Sequence, residues 1–254
     1  MFRELPERVL VALPSPPIIA PSGRDFYVVT CEHGGNRIPV AYADLFCGWQ
    51  DRLSTHRGFD PGALRMARDL AVALQAPLVA STVSRLLVDL NRSLSNPRVW
   101  SQATRSLSPS HKQAIVARHY APYRRRLTRI VAAAAGAGQR VVHLSSHSFT
   151  PILDGQVRHA DVGLLYDPSR SGEVAAAASW KAALAESAPA LRVRRNYPYQ
   201  GRNDGLMSTL RRCFPPDQYV GIELELNQAF VLSRLRSWRQ LRRNVVMALQ
   251  SALC

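Results

Sequence analysis

The apolar positions of the chain follow two patterns in turn: short continuous runs, and longer stretches with spacings of three and four. The run Phe26-Tyr-Val-Val-Thr-Cys31 is short and β-rich, of the kind that a parallel sheet buries on both faces. Similar runs predict strands over residues 77–80, 86–90, 140–145, 163–166 and 220–226. Residues 61–74 repeat apolar side chains at helical spacing behind Asp60-Pro61, which reads as an N-cap followed by proline in the first turn. Helices are also predicted over 111–136, closed by Gly136-Ala-Gly138, over the alanine-rich stretch 171–187, and over a basic amphipathic stretch 233–253. Strands alternating with helices predict an α/β fold with a mostly parallel or mixed twisted sheet flanked by helices. No internal repeat or composition break divides the chain. The expected organisation is a Pro-rich segment over residues 1–24, wrapped on the surface, followed by one domain over 25–254.

Composition narrows the classes of function. With 254 residues, 46% of them hydrophobic, the chain is long enough for a sizeable core and is not a disordered protein. No stretch reaches the roughly 18 apolar residues of a membrane span. The beginning, Met1-Phe-Arg-Glu-Leu-Pro, has charges and prolines where a signal peptide needs an apolar core. A soluble, cytoplasmic protein without a membrane partner is expected. The four cysteines, Cys31, Cys47, Cys213 and Cys254, form no CxxC pair, which removes zinc-ribbon and thioredoxin readings and gives no disulfide scaffold. Cys31 reads as a small buried filler.

Charge changes the picture less than its size suggests. Lysine plus arginine is 33 against 18 acidic residues, a net charge of +15, and only Lys112 and Lys181 are lysines. Such a field attracts anions. The arginines are spread over the whole chain, however, and their densest clusters lie on amphipathic helices. No aromatic-interleaved basic platform or zinc-finger spacing accompanies them, so no nucleic-acid partner is expected. The oligomeric state is not encoded in any recognisable pattern.

In α/β sheets ligands collect at the carboxyl ends of the strands, and four such ends are polar. They carry Cys31-Glu-His-Gly-Gly-Asn36, Asp89-Leu-Asn91-Arg92, Ser146-His147-Ser148 and Glu223-Leu-Glu225. Histidines and carboxylates in these places suit a hydrolytic metal site, in which three side chains hold a divalent ion and a glutamate moves the proton. They equally suit hydrogen-bonded structural histidines, and no HExxH string decides between the two.

The ordered strings decide. Cys-Glu-His-Gly-Gly-Asn-Arg-Ile-Pro39, His56-Arg-Gly-Phe-Asp60-Pro-Gly-Ala63, Ser84-Arg-Leu-Leu-Val-Asp-Leu-Asn-Arg92, His147-Ser-Phe-Thr-Pro151, Asp154-Gly-Gln-Val-Arg158 and Glu225-Leu-Asn-Gln228 resemble, in order, the N-formylglutamate amidohydrolase family. That family is similar in fold to the zinc carboxypeptidases and aspartoacylase, a phosphorylase/hydrolase-like α/β architecture. The resemblance implies a zinc or other divalent ion held by His33 and His147. The relatives' third ligand, a glutamate three residues after the first histidine, is here Asn36, a candidate ligand that brings no negative charge. A carboxylate is therefore expected to compensate: Asp60 first, as ligand, N-cap or both, and Glu32 second. The resemblance also implies Glu225 as general base, with Glu223 on the same strand face as its alternative. Arg85 would polarise the scissile carbonyl, and Asn91 and Arg92 would hold a substrate carboxylate. For Arg85 and Arg92 an ion pair, with Asp89 as partner, is the competing reading. Arg158, and Arg202 within the turn-rich stretch 196–205, are candidate substrate contacts or ordinary surface-loop residues. His56, His111, His119, His143 and His159 are not expected to be ligands, and His143 reads as a core residue. The implied activity is metal-dependent hydrolysis of an N-acyl amide on a small acidic amino acid such as N-formylglutamate. A related deacylase on a different amide, or an inactive binding protein, are the alternatives.

Overall fold

The computed structural model describes residues 25–233 and 235–253, so the Pro-rich segment 1–24 and Cys254 lie outside the described residues. The chain enters through β1 (Asp25–Cys31), passes a 3-10 turn (Val40–Phe46) and α1 (Gln50–Leu53), and runs through α2 (Ala63–Ala73) into β2 (Leu78–Ala80). Next come α3 (Pro109–Ile115), a π-helical turn (Val116–Tyr120), α4 (Ala121–Gly136) and β3 (Arg140–Phe149). A small hairpin, β4 (Ile152–Leu153) with β5 (Gln156–Val157), precedes β6 (Val162–Leu165), α5 (Ser171–Ser187) and β7 (Val193–Arg195). The remainder is α6 (Leu206–Cys213), β8 (Tyr219–Asn227), α7 (Gln228–Leu232) and α8 (Leu235–Leu253).

Six strands form one sheet in the order β2-β1-β3-β8-β6-β7. The first four are mutually parallel, β6 runs antiparallel to β8, and β7 is parallel to β6. The result is a single α/β domain with a mixed, twisted sheet between helical layers. Strand alternation sorts the side chains onto two different faces. Val29 and Cys31 of β1, Val142 and Leu144 of β3, and Ile222, Leu224 and Leu226 of β8 face one core. That core is closed by α2 through Met66 and Leu70, α5 through Trp180 and Leu184, and α8 through Leu241 and Val245. The opposite face begins with Val28, Val141 and Tyr219 and is covered by α4 through Tyr123, Leu127 and Val131. It then turns polar. Thr30, Ser145 and Glu223 share one row across the sheet, and His147 and Glu225 share the next.

Two expectations need correction, and a third gains a detail. Residues 86–90 form no strand: Leu87, Val88 and Leu90 are buried, but the backbone turns, with Leu87 donating to the Ser84 carbonyl and Asp89 to that of Val99. An apolar run buried as coil is indistinguishable by pattern from one buried as strand. The N-cap of α2 is Gly62, at φ 84°, and the Asp60 side chain makes no capping bond. The helix predicted over 111–136 is continuous and carries the π-helical turn Val116–Tyr120, which ends two residues before Pro122. Proline lacks the N–H for a regular bond, and a widened turn upstream accommodates it. Among the described residues no helix is long and apolar enough to cross a membrane.

Candidate active site

The parallel strands end at one edge of the sheet, and the polar groups of that edge converge there. His33 lies two residues past the end of β1, and His147 projects from β3. Asp60 is brought between them by the turn ahead of α2, where its backbone N–H donates to the His33 carbonyl at 2.9 Å. Asp60 Oδ2 lies 3.3 Å from His33 Nδ1 and 2.9 Å from His147 Nδ1. All three side chains are buried, and one donor atom from each lies within 4.8 Å of the others. A tetrahedral ion with bonds of about 2.0–2.2 Å spaces its donors by roughly 3.3–3.6 Å, so this cluster could hold a metal ion.

The opposite nitrogens are also engaged. His33 Nε2 lies 2.7 Å from Asp89 Oδ1, and His147 Nε2 lies 3.0 Å from Glu32 Oε2. Each imidazole therefore turns Nδ1 to the shared centre and Nε2 to a second carboxylate, the arrangement that orients histidine ligands in metal sites. Burial opposes ionisation of Asp60, but His33, His147 and Arg85 outweigh it and hold the carboxyl well below the usual carboxylate range. Asp89 is held down in the same way, against burial, chiefly by Arg85. His147 moves oppositely: burial disfavours its cation, yet bonds to Asp60 and Glu32 raise its pKa well above the ordinary histidine value. Three buried carboxylates around two imidazoles are a donor set that a divalent cation fits.

The surrounding pocket is lined on one side by Arg85, Asn91 and Arg92, and on another by Glu223 and Glu225. Arg85 donates from Nη1 to Asp60 at 3.3 Å and from Nη2 to Asp89 at 2.7 Å, while a quarter of its side chain stays exposed to the pocket. Glu225 is buried beside His147, and its Oε2 has no hydrogen-bond partner. Burial, reinforced by Asp60 and Glu223 and opposed by His147 and Arg85, pushes its carboxyl up to about 8. Glu223 is raised too, again by burial first.

A third wall comes from the stretch 196–205, through Tyr199, Gln200, Asn203 and Asp204. It is fixed, not loose. Asn196 Oδ1 accepts from the Tyr166 and Gly201 N–H groups, and Arg92 Nη1 donates to the Asp204 carbonyl at 2.8 Å. The Leu206 N–H, at the start of α6, donates to Asn91 Oδ1 at 2.8 Å. Two glycines let the stretch seat closely against β6 and Tyr166. A Cβ on Gly163 would stand 2.1 Å from the Tyr197 carbonyl oxygen, and one on Gly201 would stand 2.2 Å from the Tyr166 nitrogen.

Of the residues picked from sequence, His33, Asp60, His147, Arg85, Asn91, Arg92 and Glu225 come together in the pocket. Arg158 stands at its rim, stacked on Phe149 and Tyr199 and donating to the Tyr199 hydroxyl at 3.1 Å. Asn36 and Arg202 do not join them. Asn36 is exposed, because Gly34 and Arg37 bond along residues 81–82 and carry the chain away from the centre. Arg202 is exposed beyond the wall. Glu32 lies behind His147, on the side away from Asp60. His143 sits in the core, bridging Thr30 and the Tyr219 hydroxyl at 2.8 and 2.6 Å. Sequence reading passed over Ser145, Tyr123 and Tyr199. Ser145 was discoverable, two residues before His147 on one strand face; the other two gave no linear signal.

A buried His–Asp–His cluster at the carboxyl edge of an α/β sheet, faced by a glutamate raised toward neutrality, has the make-up of a hydrolase centre. The sequence model of the N-formylglutamate amidohydrolase family matches residues 26–232, and the chain belongs to that family. A gene product of Agrobacterium tumefaciens of known structure is 31% identical, with 89% of this chain and 90% of that one covered and a TM-score of 0.73. The N-formylglutamate amidohydrolase of Ralstonia eutropha shares the fold at 21% identity and a TM-score of 0.70, over 95% and 96% of the two chains. No curated protein gave a significant match.

Proposed function

We propose that this chain is a metal-dependent amidohydrolase that removes a formyl-like acyl group from the nitrogen of an acidic amino acid such as glutamate. The observation that carries the reading is the meeting of His33 Nδ1, His147 Nδ1 and Asp60 Oδ2 opposite an unpartnered Glu225. Those three side chains would hold the ion, zinc in the first instance, given their nitrogen and oxygen donors. Bound there, zinc would supply Lewis acidity to the amide carbonyl and to an attacking water.

The remaining steps belong to the chain. Glu225, tuned by burial, takes a proton from the attacking water and returns it to the nitrogen as the C–N bond breaks. Arg85, braced by Asp60 and Asp89, directs its remaining donors at the carbonyl oxygen as negative charge develops. Arg92 and Asn91 orient the amino acid's α-carboxylate, and Arg158 at the rim meets the side-chain carboxylate. The products are the carboxylic acid and the free amino acid.

The test is a hydrolysis screen over N-formyl, N-acetyl and N-succinyl amino acids, with zinc and with chelator. N-formylglutamate is expected to turn over fastest, and chelation to abolish turnover. Glu225→Gln should lower kcat by about 10²–10⁴ while retaining zinc. Undiminished turnover in that variant removes Glu225 as the base, and turnover of none of these amides removes the function.

A further inference from the structure

The residue immediately before His33 serves the other histidine. Glu32 is fully enclosed, and its two oxygens divide between two tasks. Oε2 lies 3.0 Å from His147 Nε2 and accepts from the Ser145 hydroxyl at 2.6 Å. Oε1 accepts from the Tyr123 hydroxyl at 2.8 Å, and that hydroxyl also approaches the Val79 carbonyl at 3.0 Å. Tyr123 is buried on α4. A carboxylate taken out of water is strongly unfavourable unless its lone pairs are met. Here every group that meets them comes from the polar sheet face or from the helix covering it.

From this we infer that Glu32 and Tyr123 are positioning residues for the metal centre: Tyr123 holds Glu32, and Glu32 holds His147 with Nε2–H bound and Nδ1 turned to Asp60. The inference rests on the proposed metal-binding role of His147. It assigns Glu32 no contact with the ion, which its place on the far side of the imidazole excludes. It also explains why the carboxylate is needed at all. His33 Nε2 is held from Asp89, whereas the carboxylate at His147 Nε2 is Glu32, with the Ser145 hydroxyl at 2.9 Å and the Asn91 amide nitrogen at 3.5 Å as its neutral neighbours. Because β1 delivers His33 and the orienting group of His147 at consecutive positions, one strand end sets the aim of both ligands.

The experiment is equilibrium competition of the full chain with a chromogenic chelator for zinc, comparing wild type, Glu32→Gln, Tyr123→Phe and Trp180→Phe, with chemical denaturation of each metal-free form. Glu32→Gln should weaken zinc binding by about 10- to 100-fold, and Tyr123→Phe by a smaller factor in the same direction. Trp180→Phe, in the core on the opposite sheet face, should leave the affinity of folded protein unchanged. The visible spectrum of the cobalt(II) form should keep its intensity in Glu32→Gln, since no ligand is lost. Wild-type affinity in both Glu32→Gln and Tyr123→Phe, with only metal-free stability lowered, overturns the inference and leaves the proposed function standing. If Glu32→Gln does not fold, unchanged affinity in Tyr123→Phe overturns it alone. A wild type that binds no zinc overturns the inference together with the metal-dependent reading.

Discussion

The two faces of the sheet are built from the same strands and differ in almost everything else. Toward α2, α5 and α8 the strands present valine, leucine and isoleucine, and the helices answer with Met66, Trp180, Leu184 and Leu241. Toward α4 the same strands present Thr30, His143, Ser145, His147, Glu223 and Glu225, which are joined or faced by Tyr123, Tyr219 and Glu32. The first face follows ordinary packing, in which area removed from water stabilises without regard to direction. The second depends on direction, because each polar group must be met by a specific partner. One sheet thus separates the work of holding the fold from the work of shaping a site, and the separation is one residue wide, the step between Leu144 and Ser145.

That separation can be tested by damaging each face. The largest effect on stability belongs to the apolar side. Trp180 is fully buried, and its Nε1–H donates to the Val245 carbonyl. Trp180→Ala should cost about 3–5 kcal/mol in urea denaturation, while zinc affinity of the folded fraction stays at the wild-type value. A parallel loss of affinity would mean that the two faces are coupled.

The polar side should reveal itself through pH. Burial lowers the His143 pKa from 6.5 to about 4, so the imidazole is neutral in the folded protein. The unfolded chain binds this proton more readily, so the contribution is complete above about 6.5 and is lost as pH falls through about 4. At roughly 1.4 kcal/mol per pH unit, the window is worth about 3 kcal/mol. Denaturation midpoints at pH 7 and pH 4.5 should diverge strongly in wild type and much less in His143→Gln. An unchanged pH dependence in the variant would remove the neutral imidazole as the cause. The smallest effect is expected at the rim. Arg158→Gln should raise KM for N-formylglutamate about tenfold, about 1.4 kcal/mol, with kcat nearly kept, and should leave KM for N-formylalanine unchanged. Equal changes for both substrates would place Arg158 outside side-chain recognition.

Much of this was legible in the chain itself. Helices α2, with apolar residues at three and four, and α5, rich in the strong helix former alanine, stood within a residue or two of their predicted limits. His33, His147 and Asp60 were legible because strand ends and the ordered family strings marked them. The Leu86–Leu90 stretch was misread since burial alone does not say whether a backbone pairs. Strand β7 was hidden by its two arginines, which a partly exposed edge tolerates. Helix α6 was hidden behind the turn formers of 196–205. Asn36 stands where the resemblance implied a ligand, but it is exposed, and the backbone around it bonds along residues 81–82. Tyr123 lies 91 positions from Glu32, and only the packing of α4 on the sheet brings them together.

The close seating of the 196–200 backbone on β6 has its own consequence. Gly163 is the antiparallel neighbour of Glu225, and the Tyr197 carbonyl occupies the room that a methyl group on Gly163 would need. The 196–200 backbone can therefore lie this close to β6, beside Glu225, only because residue 163 carries no side chain. Drift in selectivity has freedom at the tip, where Tyr199 and Gln200 stand, but little at the hinge of contact beneath them. Any side chain at 163 would have to displace the Tyr197 carbonyl from its seat.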